Sequence, residues 1–169
     1  MDKNIVLIGM MGSGKTTVGR LLAGCLRRPF VDTDVLIEER EGRSIPDIFE
    51  QNGENAFRAL ELEVSRELSV QSGLVIACGG GLPLREEAIN ALKQNGLVFW
   101  LDRDPAETYD RLNVSRRPLA QSGREDFIQR YQSRAPVYRR WADHTIPCAD
   151  GPDAAEQLIS AICLEVFRK

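Results

Sequence analysis

Residues 9–16, Gly9-Met10-Met11-Gly12-Ser13-Gly14-Lys15-Thr16, fit G-x-x-x-x-G-K-[ST], and each residue type in that pattern has a physical task. Glycines let the backbone wrap an anion at φ values other residues resist. The freed N–H groups and the start of the next helix then face a phosphate. The lysine reaches the β- and γ-phosphates, and the threonine hydroxyl ligates Mg2+. A glycine-rich turn that holds nothing is the competing reading. It is the weaker one, because the buried run Asn4-Ile5-Val6-Leu7-Ile8 leads in and an amphipathic helix over Lys15–Leu26 leads out. The chain is expected to bind a nucleoside triphosphate.

A phosphate loop alone leaves switch, motor and kinase open. Asp32 and Asp34 stand at the carboxyl end of a second apolar run, where open α/β sheets bind their ligands. Strand alternation sends both carboxylates to one side, with Thr33 opposite. One then suits the Mg2+ shell and the other the hydroxyl proton of an acceptor. The plainer reading has Asp34 capping the helix that follows.

Further along, Phe57, Leu60, Val64 and Leu68 repeat at helical spacing, with Glu61 at the edge of that stripe and Arg58 on its flank. The pair is either a salt bridge that orients the helix or a carboxylate holding Arg58 so that its fork grips an acid. Gly79-Gly80-Gly81 ends a third apolar run and admits close backbone approach by a ligand, where a tight strand exit needs one or two glycines. From Arg111 to Arg124 come four arginines (Arg111, Arg116, Arg117, Arg124) and no acid. That stretch reads as a solvated basic loop or as a lid that screens water and neutralises transferred charge. Arg134, in Arg-Ala-Pro-Val-Tyr, is a second anion clamp or a surface cation, and Pro136 is expected to open a new helical turn. His144, the only histidine, has no nucleophile signature beside it and reads as structural. Trp100 and Trp141 read as core and helix-face aromatics.

These groups need a scaffold. Apolar runs at 4–8, 29–31, 74–77 and 97–101, with a weak one near 144–148, alternate with helical patterns. The helices are expected at 15–26, 34–41, 45–51 with Ser44 as N-cap, 54–71, 85–94, Asp104-Pro105 to Leu112, 125–133, 136–142 and 153–167. Five strands alternating with helices predict an α/β fold with a mainly parallel sheet. At 169 residues, 43% hydrophobic and 28% charged, the chain fits one globular domain over residues 1–169. A net charge of −3 excludes a strongly basic nucleic-acid binder. No apolar run reaches the roughly 20 residues of a membrane span, and the four-residue run before Gly9 is too short for a secretory signal. Cys25, Cys78, Cys148 and Cys163 are scattered and read as buried thiols of a reducing, cytoplasmic compartment.

With these pieces assembled, the sequence resembles the shikimate kinase family across essentially the whole chain. The resemblance rests on the phosphate loop with Lys15-Thr16-Thr17, Asp32-Thr33-Asp34, Phe57-Arg58 with Glu61, the triple glycine, Arg117-Pro118-Leu119, and Arg134 with Pro136 and Tyr138. It implies a three-layer P-loop kinase fold, with a five-stranded parallel sheet in the order 2-3-1-4-5 and an arginine-bearing lid. The acceptor-holding helices would span about 34–60 and the lid about 112–124. It further implies transfer of the γ-phosphoryl of ATP to the 3-hydroxyl of shikimate, with Mg2+, on the route to chorismate and the aromatic amino acids.

By the same resemblance, Gly12, Ser13, Gly14, Lys15, Thr16 and Thr17 cradle the ATP phosphates, and Thr16 holds Mg2+ with Asp32 nearby. Asp34 binds the acceptor hydroxyls and takes or orients the transferred proton. Arg58 and Arg134 clamp the carboxylate, beside Gly79, Gly80 and Gly81. Arg117 swings in with the lid, and Arg111 stacks on adenine. The partners are small molecules, with no nucleic acid or membrane, and the family expectation is a monomer. Cys78 stands where relatives commonly carry Thr or Ser, and Leu82-Pro83 replaces smaller residues, both on the shikimate-side wall. A gluconate-type sugar-acid kinase would share the phosphate loop and a carboxylate clamp without requiring the Arg58, triple-glycine and Arg134 set. A non-catalytic ATP-binding relative should have lost Lys15, Asp34 or Arg117, and all three are present.

Overall fold

In the computed structural model, which describes residues 3–112, 122–151 and 153–168, every residue of β1 (Asn4–Ile8) is buried. A strand that is apolar on both faces belongs in the middle of a sheet covered on both sides. There β1 pairs in parallel with β3 (Val75–Ala77) and β4 (Gly96–Asp102). Outside them lie β2 (Phe30–Asp32), parallel to β3, and β5 (His144–Pro147), parallel to β4. The sheet order is β2-β3-β1-β4-β5, as the resemblance implies.

Alternation sorts the strand residues into two cores. Ile5, Leu7, Val75, Phe99 and Leu101 pack with Val18 and Leu22 of α1 (Lys15–Leu26) and with Leu158 and Ile162 of α7 (Ala154–Val166). Val6, Ile8, Ile76, Val98 and Trp100 face the other way. They meet α3 (Ile45–Ser69), α4 (Glu86–Gln94) and α6 (Arg124–Trp141) through Val64, Leu68, Leu92 and Phe127. Asn4 is the polar exception at 0% exposure. Its amide donates to the carbonyls of Leu68 and Gln71, and its oxygen accepts from the Leu74 N–H at 2.9 Å. One side chain thereby ties the end of α3 to the start of β3.

The structure departs from the sequence reading at four places. The second strand ends at Asp32, and Thr33 already opens α2 (Thr33–Glu41). Strand alternation therefore does not place Asp34; the first helical turn does. The cap is Asp32, whose Oδ1 accepts from the N–H groups of Asp34 and Val35. The expected helices at 45–51 and 54–71 form one element kinked at Gly53, where φ 81° and ψ 170° break the helical path. Ser44 caps it, accepting from the Asp47 N–H. Pro136 lies inside a continuous α6 rather than opening a new turn. Gln132, whose carbonyl loses its donor there, is exposed, so water can serve it. Cys25 is exposed, whereas Cys78 is buried. The remaining helix, α5 (Pro105–Arg111), is capped by Asp104 as the Asp-Pro pair predicts.

Candidate active site

The loop between β1 and α1 is built from backbone. Gly12 (φ 78°) and Gly14 (φ 97°) hold left-handed conformations that side chains resist. Gly14 caps α1 without a side-chain hydrogen bond, and no acid stands in the first turn. The positive end of the helix dipole is thus left facing an anion site. Ser13 and Lys15 are buried. The Lys15 ammonium donates to the carbonyls of Gly9 and Met10, both at 2.8 Å.

A cleft of about 270 Å³ opens over this loop. Gly12, Gly14, Lys15, Thr16 and Thr17 line one side, and Asp32, Asp34, Cys78, Gly79 and Gly80 the other. Thr16 and Asp32 meet directly, the hydroxyl donating to Asp32 Oδ2 at 2.7 Å. A hydroxyl beside a carboxylate suits Mg2+, which takes few protein oxygens and fills its shell with water and phosphate. Among the described residues no cluster of three His, Cys, Asp or Glu side chains offers a denser metal site.

Asp34 lines the far side of the cleft, and the Arg58–Glu61 pair lies behind the glycine wall, with Arg58 against Gly81. Burial pushes the Asp34 carboxyl up to about 6, and the neighbouring Asp32 adds to the rise, while Lys15 and Arg58 oppose it. Its Oδ1 is buried without a hydrogen-bond partner among the described residues. Glu61 is 1% exposed and takes a 2.6 Å ion pair from Arg58, which also bonds Glu54 at 3.2 Å. Burial lifts Glu61 to about 7 against the pull of Arg58, Asp34 adds to the rise, and Arg134 opposes it. Burial acts to lower Arg58, but the hydrogen bonds and charges of Glu61 and Glu54 outweigh it and raise the guanidinium. The salt-bridge reading of the Arg58–Glu61 pair is thus what the structure shows, with both terminal nitrogens of the guanidinium held by carboxylates of its own helix.

The three glycines have separate spatial reasons. A Cβ at Gly79 would overlap Asp34 Oδ1, and one at Gly81 would lie 2.7 Å from both Arg58 nitrogens, Nη1 and Nη2. At Gly80 the neighbours are the Gly9 carbonyl, the Met11 N–H and Arg134 Nη1, the last at 3.6 Å. The glycine loop is therefore the wall against which the phosphate loop, Asp34, Arg58 and Arg134 are all packed. Cys78 lines the cleft, and burial lifts its thiol far above the ordinary range. Leu82 instead is fully buried in the main core, so the substitution there bears on packing.

Three contacts around the site were not foreseen in the sequence, although Thr33 and Tyr138 stood in the motifs that carry the resemblance. The Thr33 hydroxyl accepts from the Gly79 N–H at 3.0 Å. The Tyr138 hydroxyl donates to the Gly80 carbonyl at 2.6 Å. Asp150 accepts from Arg103 at 2.6 Å and also pairs with the exposed Arg111. Each joins elements distant in the chain, and only a Thr or Tyr at an apolar position hinted at the first two. Arg117 and most of the expected lid lie outside the described residues. His144 stacks on Phe99 and pairs with Glu165 at 3.5 Å, away from the cleft. No helix among the described residues is long and apolar enough to cross a membrane.

Comparison with known proteins places the chain in a family and agrees with its fold. The shikimate kinase family model matches residues 11–164. A shikimate kinase of Sulfurihydrogenibium sp. is 49% identical over 138 residues, covering 81% of this chain and 83% of the relative. One from Symbiobacterium thermophilum is 48% identical over 154 residues, with 87% of each covered. The solved shikimate kinase of Acinetobacter baumannii in complex with shikimate superposes with a TM-score of 0.89 at 40% identity, covering 99% of this chain and 94% of that one.

Proposed function

Since the chain belongs to the shikimate kinase family, we propose that it transfers the γ-phosphoryl of ATP to the 3-hydroxyl of shikimate, giving shikimate 3-phosphate and ADP. The observation that carries this reading is Asp34, a carboxylate of the cleft that feels the charges of both the phosphate-loop Lys15 and Arg58. Phosphoryl transfer asks a protein mainly for position and charge neutralisation. The glycine N–H groups and the start of α1 hold the β- and γ-phosphates, and Lys15 turns to them from the loop carbonyls. Thr16 and Asp32 would hold Mg2+, which when bound neutralises charge between the phosphates. Asp34 accepts the acceptor's hydroxyl proton as the oxygen attacks, and its raised pKa makes it a better base than a surface aspartate. Arg58, aimed by Glu61, and Arg134 grip the acceptor carboxylate, so that only an acid of the right length places its hydroxyl by Asp34.

The remaining roles follow the family pattern. Arg117 closes with the lid over about 112–124 and neutralises the transferred group, and Arg111, tethered by Asp150, stacks on adenine. The chain works as one domain and a monomer in the cytoplasm, where free thiols persist. A coupled ADP-release assay with ATP and Mg2+ compares shikimate, quinate, gluconate and no acceptor. Turnover with shikimate alone is expected. Turnover with another acid alone would reassign the pocket, and silence with all four would leave a nucleotide-binding module.

A further inference from the structure

The glycine wall is held in two different ways. The Gly79 carbonyl accepts from the Leu82 N–H at 3.1 Å and the Gly81 carbonyl from the Leu84 N–H at 3.1 Å, local bonds that close the single 3-10 turn Leu82–Leu84. The Gly80 carbonyl between them points elsewhere, to the hydroxyl of Tyr138 on α6. Tyr138 is 0% exposed, its ring packed at 5.9 Å from that of Trp100, so the hydroxyl has little freedom to move. The same oxygen lies 3.6 Å from Met10 Sδ in the phosphate loop. Arg134 sits one helical turn before Tyr138, beside Gly80. Its guanidinium also hydrogen-bonds the Tyr138 hydroxyl and opposes the burial that raises it. One phenol thus joins α6, the glycine wall and the phosphate loop at the back of the acceptor pocket.

We propose that the Tyr138 hydroxyl is a positioning group for acceptor binding: it fixes the orientation of the Gly80–Gly81 peptide and, with it, the place of Arg134 against the wall. A peptide plane turns as a unit. Glycine at both ends offers no steric barrier to rotation, so the plane stays put only while its carbonyl is held. A phenylalanine at 138 keeps the ring and its packing but leaves that carbonyl without its donor. A merely space-filling tyrosine would pass this change unnoticed by the substrate.

The role rests on the kinase reading above, and the test separates the two. In Tyr138→Phe the KM for shikimate is expected to rise about tenfold, the scale of one buried hydrogen bond, with kcat and the KM for ATP moving less than about threefold. In an Arg134→Ala background the same change is expected to add less than about threefold, because its target is already gone. An unchanged shikimate KM, equal rises in both KM values, or full additivity with Arg134→Ala would each overturn the proposal. Amide hydrogen exchange over residues 79–84 gives a readout that needs no acceptor. Faster exchange in Tyr138→Phe supports the lock even if wild type proves silent with shikimate, and unchanged exchange refutes it.

Discussion

The two sides of the cleft are made of different material. The nucleotide side is backbone: glycines at positive φ, an uncapped helix start and a lysine parked on its own loop carbonyls. The acceptor side is side-chain charge held against its inclination to be solvated, with Asp34 and Glu61 lifted by burial to about 6 and about 7. Backbone donors are fixed by local geometry and are indifferent to pH. Buried carboxylates depend on partners from several elements and store unfavourable free energy until substrate arrives. Damage to the acceptor side should therefore be selective for the acid and sensitive to pH, while the nucleotide side stays intact.

The largest effect should come from crowding the wall. Gly79→Ala puts a methyl onto Asp34, and kcat/KM for shikimate is expected to fall about 100-fold through misplacement while ATP affinity holds. Equal loss of ATP affinity, measured by titration calorimetry, would show that the two sides are not separable. Arg58→Lys keeps a cation for Glu61 but loses the fork; steady-state kinetics should show a rise of about tenfold in shikimate KM with less change in kcat.

Away from the cleft, Asn4→Ala leaves the Leu74 N–H without its acceptor, while the Leu68 and Gln71 carbonyls keep other donors, and should destabilise by about 1–3 kcal/mol in denaturant melts. Both KM values should stay as they were, which separates fold from site.

The pH effects are smaller and their sign is fixed. Because the folded pKa of Asp34 is raised from 3.8 to about 6, the folded protein binds that proton more tightly than the unfolded chain. The resulting stabilisation is present below the unfolded value and is lost as pH rises through about 6; Glu61 extends the loss through about 7. Thermal midpoints of the free protein should accordingly be eroded across that window, and Asp34→Asn should raise the midpoint at pH 8 by removing its share. In catalysis the sign reverses. The acid limb of kcat/KM for shikimate should fall near pH 6, where Asp34 takes a proton and ceases to be a base.

The difference in material also explains what the sequence revealed. A backbone cradle must be contiguous, so Gly9 to Thr16 could be read as one motif, and the strand-by-strand alternation led to the parallel sheet. Asp32, Asp34, Arg58, Glu61, the triple glycine and Arg134 were legible as candidates because they are charged or crowded at unusual places. Their assembly as one kinase site came from family resemblance rather than spacing. What stayed hidden was contact across elements. The cap at the second strand, which falls to Asp32 while both aspartates line the cleft, turned on the helix opening at Thr33, one residue before the expected start. The continuity of α6 through Pro136 turned on an exposed carbonyl that water can serve. No pattern in the residues around Tyr138 or Asp150 announces a partner some 58 or 39 positions away.

The most direct test of the account is Asp34→Asn, assayed for turnover with shikimate and for ATP affinity in the same preparation. The account predicts ATP binding like that of wild type and a kcat lowered by about 100-fold or more, the scale general-base catalysis supplies. A variant that binds ATP normally and turns shikimate over at close to the wild-type rate would remove Asp34 from the chemistry and contradict it.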